Sequence, residues 1–414
     1  RRIGGWRRRP GAVTLVVGIL LASSAVEARA REPGSIVSVE PVQRWSVSEI
    51  EEAGPRLFEW YGTPEAQYPV EEYIVYYRTT DFDGEAVEAK SRLFVPVVSQ
   101  ETKRPVLVFG SGTTGIADRC APSLEQPEVE RWGYYRTNMA SYAAQGLITI
   151  FPDYIGFNDR MRAQRYFSKA AEGHLLLDGA RAVRAFFADR DFAVEPADQV
   201  FTAGYSQGGH AALAAADLRD EYAPDVPLRG AIGFAATNDV ATLMREAAYY
   251  SPYIIYAYRA MYGFDEIDPA DYLQERWVET LTADIATKCV KEMELYYPFD
   301  GRELFTPEFY EALHGGTLAE EYPALHRRLV ENRSGLSGHD VPVLIVQGGN
   351  DIIITTPSIR RYVSRLCETD VPVAYRFYED ARHRHTRPAG FRASVKWIET
   401  IAAGEEPPDE CDAF

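Results

Sequence analysis

Short runs rich in β-branched and aromatic residues alternate with amphipathic segments along most of this chain. The first two runs alternate polar and apolar residues and flank an Asp83-Gly84 turn, which predicts two antiparallel strands. Most of the later runs are almost continuously apolar, as buried parallel strands are. The eight predicted strands are residues 73–79, 91–96, 105–110, 147–152, 199–205, 228–235, 341–347 and 372–378.

Helical patterns fall between these strands. The segment 172–189 places its apolar residues on one stripe, 207–222 is rich in alanine, and 359–368 and 391–402 are amphipathic. Alternation of strand and helix predicts an α/β fold, with a mostly parallel central sheet and helices on both faces. Ligands of such sheets bind at the carboxyl ends of the strands, so candidate residues are sought there.

Two segments depart from this rhythm. Residues 240–340 lack a strand pattern and are rich in aromatic residues, which predicts a helical cap inserted after the sixth predicted strand. Most of these aromatic side chains should form the core of the cap, and some should line an apolar substrate pocket. Residues 31–70 are predicted to be irregular and to wrap the outside of the fold. Residues 31–239 and 341–414 are then the core of the protein.

The first 30 residues have the layout of a secretory signal peptide. Three arginines at positions 7–9 precede an apolar run at 12–21, and Ala28 and Ala30 precede the expected cleavage point. We therefore expect a secreted protein, cleaved after Ala30, by either the general or the twin-arginine route. The apolar run is too short for a stable membrane anchor.

The charge of the chain restricts its partners. The net charge is −17, and removal of six Arg and one Glu with residues 1–30 makes it −17 − 5 = −22. Nucleic acids and anionic membranes both require a basic surface, so neither is an expected partner.

Four cysteines, an even number, are typical of an exported protein with disulfide bonds. They are Cys120, Cys289, Cys367 and Cys411, and their spacing alone leaves three pairings open. The sequence contains no CxxC motif or Cys/His cluster, so no metal site is predicted.

The pentapeptide Gly204-Tyr205-Ser206-Gln207-Gly208 follows a predicted strand and precedes a predicted helix. A serine on such a sharp turn has a strained backbone, and the glycines beside it provide the space that the turn needs. The turn would lift the Ser206 hydroxyl clear of the sheet and place the Gln207 amide at a helix N-terminus, which favours a developing oxyanion. Ser206 is thus the candidate nucleophile.

A serine nucleophile needs a histidine base and a carboxylate that orients it, in the chain order Ser, acid, His. Asp351 follows the strand 341–347 and is the preferred acid, with Asp239 as the alternative. His383 follows the strand 372–378 and is the preferred base, because it lies nearer the strand end than the alternative, His385.

A second oxyanion donor is expected from the glycine-containing loop 111–115, which follows the strand 105–110. Glycines there would let a backbone amide approach a substrate carbonyl closely. The Thr113 amide is preferred, and the Thr114 amide is the alternative.

Several of these segments together resemble the secretory lipase family of α/β hydrolases, which includes the lipase A-type enzymes of fungi and actinobacteria. The resemblance covers about residues 70–402 and rests on 112–115, 120–123, 152–154, 204–209, 343–351 and 378–383. It implies the α/β-hydrolase fold, a helical lid, disulfides Cys120–Cys289 and Cys367–Cys411, and His383 as the base. Members often carry a histidine before Gly-Thr-Thr-Gly, where this chain has Ser111.

The predicted function is therefore that of a secreted serine hydrolase that cleaves carboxylic esters, as a lipase or an esterase, through an acyl-enzyme. The substrate would be a small-molecule or lipid ester, the contact with a lipid interface transient, and the chemistry requires no cofactor. Two alternatives remain, a serine peptidase of the prolyl-oligopeptidase type and an inactive hydrolase fold that acts as a binding module.

Overall fold

A computed structural model describes residues 32–126 and 132–414, and its centre is a nine-stranded sheet with the strand order β1-β2-β3-β5-β4-β7-β8-β9-β10. The short strand β6 lies outside this sheet. The strands are β1 (Ile36–Trp45), β2 (Val70–Thr80), β3 (Ala86–Pro96), β4 (Thr102–Gly110), β5 (Ile148–Pro152), β6 (Ile155–Asn158), β7 (Val194–Tyr205), β8 (Leu228–Phe234), β9 (Val343–Gly348) and β10 (Val373–Tyr378).

The six strands β5, β4, β7, β8, β9 and β10 are parallel to one another. The strands β1, β2 and β3 are antiparallel to their neighbours, and β3 joins the parallel part by pairing with β5. The mostly parallel sheet that the sequence predicts is therefore confirmed. Its parallel strands place the ends of β4, β7, β9 and β10 along one edge.

Helices cover the sheet on both faces. Successive residues of a strand point to opposite faces. In β7 the ring of Phe201 contacts Trp397 of α15, whereas Thr202 Oγ1 donates to the Ala212 carbonyl of α5, so α15 and α5 lie on opposite sides. The helices are α1 (Val47–Ala53), α2 (Pro55–Phe58), α3 (Tyr135–Ala144), α4 (Lys169–Ala188), α5 (Gln207–Tyr222), α6 (Val240–Glu246), α7 (Ser251–Tyr262), α8 (Glu275–Thr287), α9 (Val290–Tyr296), α10 (Gly301–Leu304), α11 (Pro307–Gly315), α12 (Leu318–Glu321), α13 (Pro323–Glu331), α14 (Thr356–Cys367) and α15 (Thr386–Ala402).

The prediction that residues 31–70 are irregular is wrong, because this segment contains strand β1 and helices α1 and α2. Strand β1 pairs with β2 at the edge of the sheet, and most of its residues are exposed on both faces. An edge strand needs no alternation of apolar residues and tolerates a proline such as Pro41. Its sequence consequently looks like that of a loop.

The segment 240–340, here called the helical insertion, lies between β8 and β9 and contains α6 to α13. Among its described residues the only β-pairing outside the named strands is a single bridge between Leu273 and Phe305. Most of the tyrosines near its start are buried, as a core of its own requires.

Two disulfides link distant parts of the chain, Cys120 to Cys289 and Cys367 to Cys411. This is the pairing that the family resemblance implies. The first joins the loop after β4 to the start of α9, and the second joins α14 to the C-terminal tail. The predicted signal peptide lies outside the described residues. Within residues 32–126 and 132–414, no helix has the length and apolar character needed to cross a membrane.

Candidate active site

Ser206 stands on the turn between β7 and α5 with a positive φ of 53° and ψ of −112°. Residues other than glycine rarely adopt such backbone angles, so the surrounding structure has to stabilise the strained backbone of Ser206. Two backbone hydrogen bonds contribute to this stabilisation: the Ser206 amide donates to the Phe234 carbonyl of β8, and the Thr237 amide donates to the Ser206 carbonyl. The turn is therefore the sharp strand-to-helix elbow that the sequence indicates.

The flanking glycines allow this turn because the backbones come too close for any side chain. A Cβ at Gly204 would lie 2.0 Å from the Gly208 carbonyl oxygen, and one at Gly208 would lie 1.9 Å from the Gly110 carbonyl oxygen. Strands β7 and β4 and helix α5 thus meet directly beneath the serine. No shift of a flexible side chain could relieve these contacts, since all the atoms belong to the backbone.

Asp351 and His383 lie close together at the ends of β9 and β10. His383 Nδ1 lies 2.7 Å from Asp351 Oδ2, and both side chains are buried. Asp351 Oδ1 accepts hydrogen bonds from the Ile353 and Ile354 amides, each at 2.9 Å. These amides fix the carboxylate, and the carboxylate in turn fixes the ring of His383.

The other nitrogen of the His383 ring, Nε2, is buried and has no hydrogen-bond partner in the part of the chain that the structure describes. His383, Ser206 and Thr113 border one cavity of about 20 Å³. A cavity needs at least about 10–15 Å³ to hold a water molecule, so this space admits little more than one. The arrangement places a serine and a histidine that is bound to a carboxylate beside one small space.

The alternative acid and base lie elsewhere. Asp239 caps helix α6 by accepting from the Ala241 amide at 3.1 Å, and it pairs with Arg333 at 3.3 Å. His385 packs edge-on against Trp60 and lines a different cavity. Burial is the main cause that lowers the pKa of His385, with the charges of neighbouring arginines adding to it.

The two candidate oxyanion donors lie on the loop after β4 and at the start of α5. Gln207 is the first residue of α5, directly after Ser206. In the loop, the Gly112 amide already donates to the Tyr135 hydroxyl at 2.7 Å, and the Thr114 carbonyl accepts from the Val290 amide at 2.9 Å. Thr113 lies between these anchors and borders the cavity, and its hydroxyl lies 2.7 Å from that of Tyr166.

A buried polar network beneath the elbow escapes prediction from the sequence. Glu172 accepts from the Gln207 side-chain amide at 2.7 Å and from the Phe167 backbone amide at 3.0 Å, and its other oxygen lies 2.5 Å from His210 Nδ1. His210 Nε2 lies 2.7 Å from the Asn332 carbonyl oxygen. The network ties α4, α5 and the helical insertion together. The signal available in the sequence was the position of Glu172, a charged residue in line with the apolar stripe of the predicted helix 172–189.

The helical insertion covers the site. The cavity beside Ser206 is also bordered by Tyr250, which directly precedes α7, and by Val290, Lys291 and Glu294 of α9. Glu294 accepts from Tyr250 at 3.1 Å and pairs with Arg384, next to His383, at 2.6 Å. Burial raises the pKa of Tyr250 well above its usual value, so its hydroxyl keeps its proton at neutral pH. In the described segments, no group of three or more metal-binding side chains is present.

The sequence profile described as "Secretory lipase" matches residues 132–410, about two thirds of the chain. A Mycobacterium tuberculosis protein named a probable inactive lipase is 23% identical over 359 residues, which are 82% of this chain and 76% of that protein. A secreted triacylglycerol lipase of Malassezia globosa is 24% identical over 320 residues, or 73% of this chain and 66% of that lipase.

The crystal structure of Candida antarctica lipase A resembles this fold with a TM-score of 0.68 and 21% identity, covering 92% of this chain and 84% of that one. The α/β-hydrolase fold that the sequence predicts is thereby confirmed. With a family profile matched over more than half of its length, the chain belongs to the secretory lipase family.

Proposed function

We propose that this protein is an active carboxylic ester hydrolase with Ser206 as nucleophile, His383 as base and Asp351 as the group that orients the base. One observation carries the proposal: Ser206 and His383 border the same cavity, and His383 Nδ1 is bound to Asp351, which leaves Nε2 available for the proton of Ser206. A serine hydroxyl becomes a useful nucleophile when a histidine whose Nδ1 is bound to a carboxylate can take its proton at Nε2.

In the first step the Ser206 oxygen attacks the ester carbonyl carbon, and the hydroxyl proton passes to His383 Nε2. The tetrahedral intermediate collapses when the carbon–alkoxy bond breaks, and the leaving alcohol takes the proton from His383. A water molecule then gives its proton to His383 and attacks the acyl-enzyme, and Ser206 leaves as the alcohol with that proton. The Gln207 and Thr113 amides are proposed to stabilise the oxyanion in both halves.

We further propose that the helical insertion acts as a cap that must move for a substrate to enter. The space beside Ser206 is about 20 Å³, far smaller than any ester substrate. Large apolar side chains on and just after α9 are exposed, namely Leu295, Tyr296 and Phe299. Such side chains suit a transient contact with a lipid surface, which would draw the insertion away from the site.

Export to the extracellular space is part of the proposal. Two disulfides form and persist in an oxidising compartment, and the Malassezia globosa relative is a secreted lipase. Residues 1–30 would act as the signal peptide, with cleavage after Ala30.

The test is hydrolysis of a soluble short-chain p-nitrophenyl ester by purified wild type, Ser206→Ala and the surface variant Ser99→Ala. We expect kcat of Ser206→Ala to fall by a factor of about 10⁴ or more, since loss of the nucleophile disables the triad. Ser99 is exposed and does not border the cavity, so Ser99→Ala should match wild type. Comparable activity of a folded Ser206→Ala would refute the assignment.

A second candidate function, that of an inactive hydrolase fold which binds a ligand without turnover, is favoured by the name of the Mycobacterium tuberculosis relative. The intact Ser206, His383 and Asp351 arrangement argues against it. Wild-type protein without activity on esters of two to sixteen acyl carbons would support this second function.

A further inference from the structure

A second, larger cavity adjoins the one beside Ser206. Its volume is about 270 Å³, and it shares Trp132, Lys291 and Arg384 with the smaller cavity. Small-molecule sites usually have volumes of about 300–1,000 Å³, so this space suits one part of a substrate rather than a whole lipid. A group bound here would lie next to the ester bond that Ser206 attacks.

The charge of this cavity is opposite to that of the whole chain. Four of its thirteen lining residues are arginine or lysine and one is glutamate, in a chain with a net charge of −17. Its cations are Arg56, Lys291, Arg384 and Arg387, of which Arg384 is paired with Glu294 of the adjoining cavity. Such a local reversal of charge concentrates anions rather than neutral acyl chains.

Arg387 is the most unusual of these cations because it is 98% buried, with 2% of its surface exposed. Its guanidinium lies between the rings of Tyr135, at 4.6 Å, and Tyr205, at 4.8 Å. Nη2 donates to the Gly133 carbonyl at 2.8 Å. Nε and Nη1 have no hydrogen-bond partner within residues 32–126 and 132–414.

Unpaired donors on a buried guanidinium are costly, and a guanidinium cannot lose its charge to escape the cost. A carboxylate is the group that compensates such a donor best, because its oxygens accept charge-assisted hydrogen bonds from a guanidinium. Tyr205, which stacks on the guanidinium, precedes Ser206 and packs against His383 at 4.9 Å. The Arg387 guanidinium is therefore separated from His383 by the single side chain of Tyr205.

We propose that this cavity binds a carboxylate carried by the ester substrate, with Arg387 as the residue that recognises it. The inference rests on the proposed ester hydrolysis and narrows its substrate class to esters with a free carboxylate on either the acid or the alcohol part. The exposed ring of Trp60 and the ring of Trp132 give the cavity apolar walls for the carbon atoms between the two groups.

The experiment compares kcat/KM for two matched pairs of esters. On the acid side, p-nitrophenyl hydrogen adipate is compared with methyl p-nitrophenyl adipate. On the alcohol side, 4-carboxyphenyl butyrate is compared with 4-(methoxycarbonyl)phenyl butyrate. In at least one pair we expect wild type to prefer the carboxylate about tenfold or more, the worth of a charge-assisted hydrogen bond.

The variants are Arg387→Gln and, as a control, Arg184→Gln, which removes a partly exposed arginine of α4 outside both cavities. The preference should vanish in Arg387→Gln and persist in Arg184→Gln. If Arg387→Gln does not fold, Arg387→Lys replaces it and should lose at least threefold of the preference.

Two results would overturn the inference. One is wild type that hydrolyses the neutral esters without a preference for the carboxylate ester in either pair. The other is a preference for the carboxylate ester that persists in the folded Arg387 variant. Failure of wild type to hydrolyse any of the four esters would instead refute the proposed function on which the inference rests.

Discussion

Two histidines separated by a single residue lie on the same loop and have different surroundings. His383 is bound to Asp351 at 2.7 Å and borders the cavity of Ser206, whereas His385 packs against Trp60 and borders the neighbouring cavity. The one-turn 3₁₀ helix His383–His385 turns the two rings in different directions. That His383 rather than His385 is the base stays a prediction, and the two alanine variants test it.

We expect His383→Ala to lose as much kcat as Ser206→Ala, because nucleophile and base act as one unit. His385→Ala should lose less than about tenfold, since its ring contacts no group of the proposed triad. Kinetics of both variants on one soluble ester provide the check, with circular dichroism as the control for folding. An inactive His385→Ala beside an active His383→Ala would move the base to His385.

The glycine at position 208 should be irreplaceable. Gly208→Ala would bring a Cβ to 1.9 Å from the Gly110 carbonyl oxygen, so β4 and the elbow would have to separate. We expect a loss of about 3 kcal/mol or more in the free energy of unfolding, typical of overpacking and of strain at a special backbone position.

The control is Gly315→Ala at the end of α11, where nothing lies within 4 Å of the added Cβ. That variant should change stability by less than about 1 kcal/mol. Urea unfolding of the two proteins measures the difference. Equal stability of both would show that the elbow does not need the close approach of the two backbones.

At the scale of secondary-structure elements, the sequence identifies the elements that carry an apolar run or a one-sided apolar stripe and misses those that carry neither pattern. Helix α5 begins and ends at the predicted residues, and the predicted strands agree with the structure to within a few residues. Strand β1 escapes because an exposed edge strand carries no apolar alternation. Helix α3 escapes because nearly all of its residues are buried, which leaves no polar face to mark its period.

The candidate active site likewise has parts that the sequence locates and parts that it does not. The Ser206 elbow and the strand ends can be located from the sequence, because their residues lie beside apolar strands. The Glu172–Gln207–His210 network depends on side chains 35 and 38 residues apart that meet only in the folded chain. The closeness of Arg387 to the site depends likewise on the packing of α15 against α3.

The disulfides should contribute differently to stability and to activity. The bond Cys120–Cys289 spans 169 residues and joins α9 to the loop of Thr113, whereas Cys367–Cys411 spans 44 residues and lies away from both cavities. Loop-closure entropy predicts losses of about 5 and about 4 kcal/mol on their removal. We expect the Cys120→Ser/Cys289→Ser protein, where folded, to lose at least tenfold in kcat/KM.

The matched control is Cys367→Ser/Cys411→Ser, which should keep kcat/KM within about twofold of wild type at a temperature where it is folded. Thermal unfolding and ester kinetics of the two double variants measure both effects. Equal activity of the two would show that the bond to α9 does not hold the site in shape.

At the scale of the whole molecule, the paired cysteines fit a protein that is proposed to be exported. The chain has a net charge of −17, four of its 44 lysines and arginines line the cavity next to the candidate site, and its four cysteines are paired. We expect the mature protein from the culture medium to begin at Arg31 and to contain no free thiol. N-terminal sequencing and thiol titration of the unfolded, unreduced protein are the measurements. One or more reactive thiols per chain would contradict the paired state.

The central claim is that Ser206 is a nucleophile activated by His383, and a fluorophosphonate tests it most directly, because the reagent phosphonylates an activated serine whatever the natural substrate. After reaction with the probe, intact-mass and peptide mass spectrometry should show one adduct per chain, on the peptide that contains Ser206. Ser206→Ala and His383→Ala should show none. An unlabelled wild type, or an adduct on a different serine, would contradict the account.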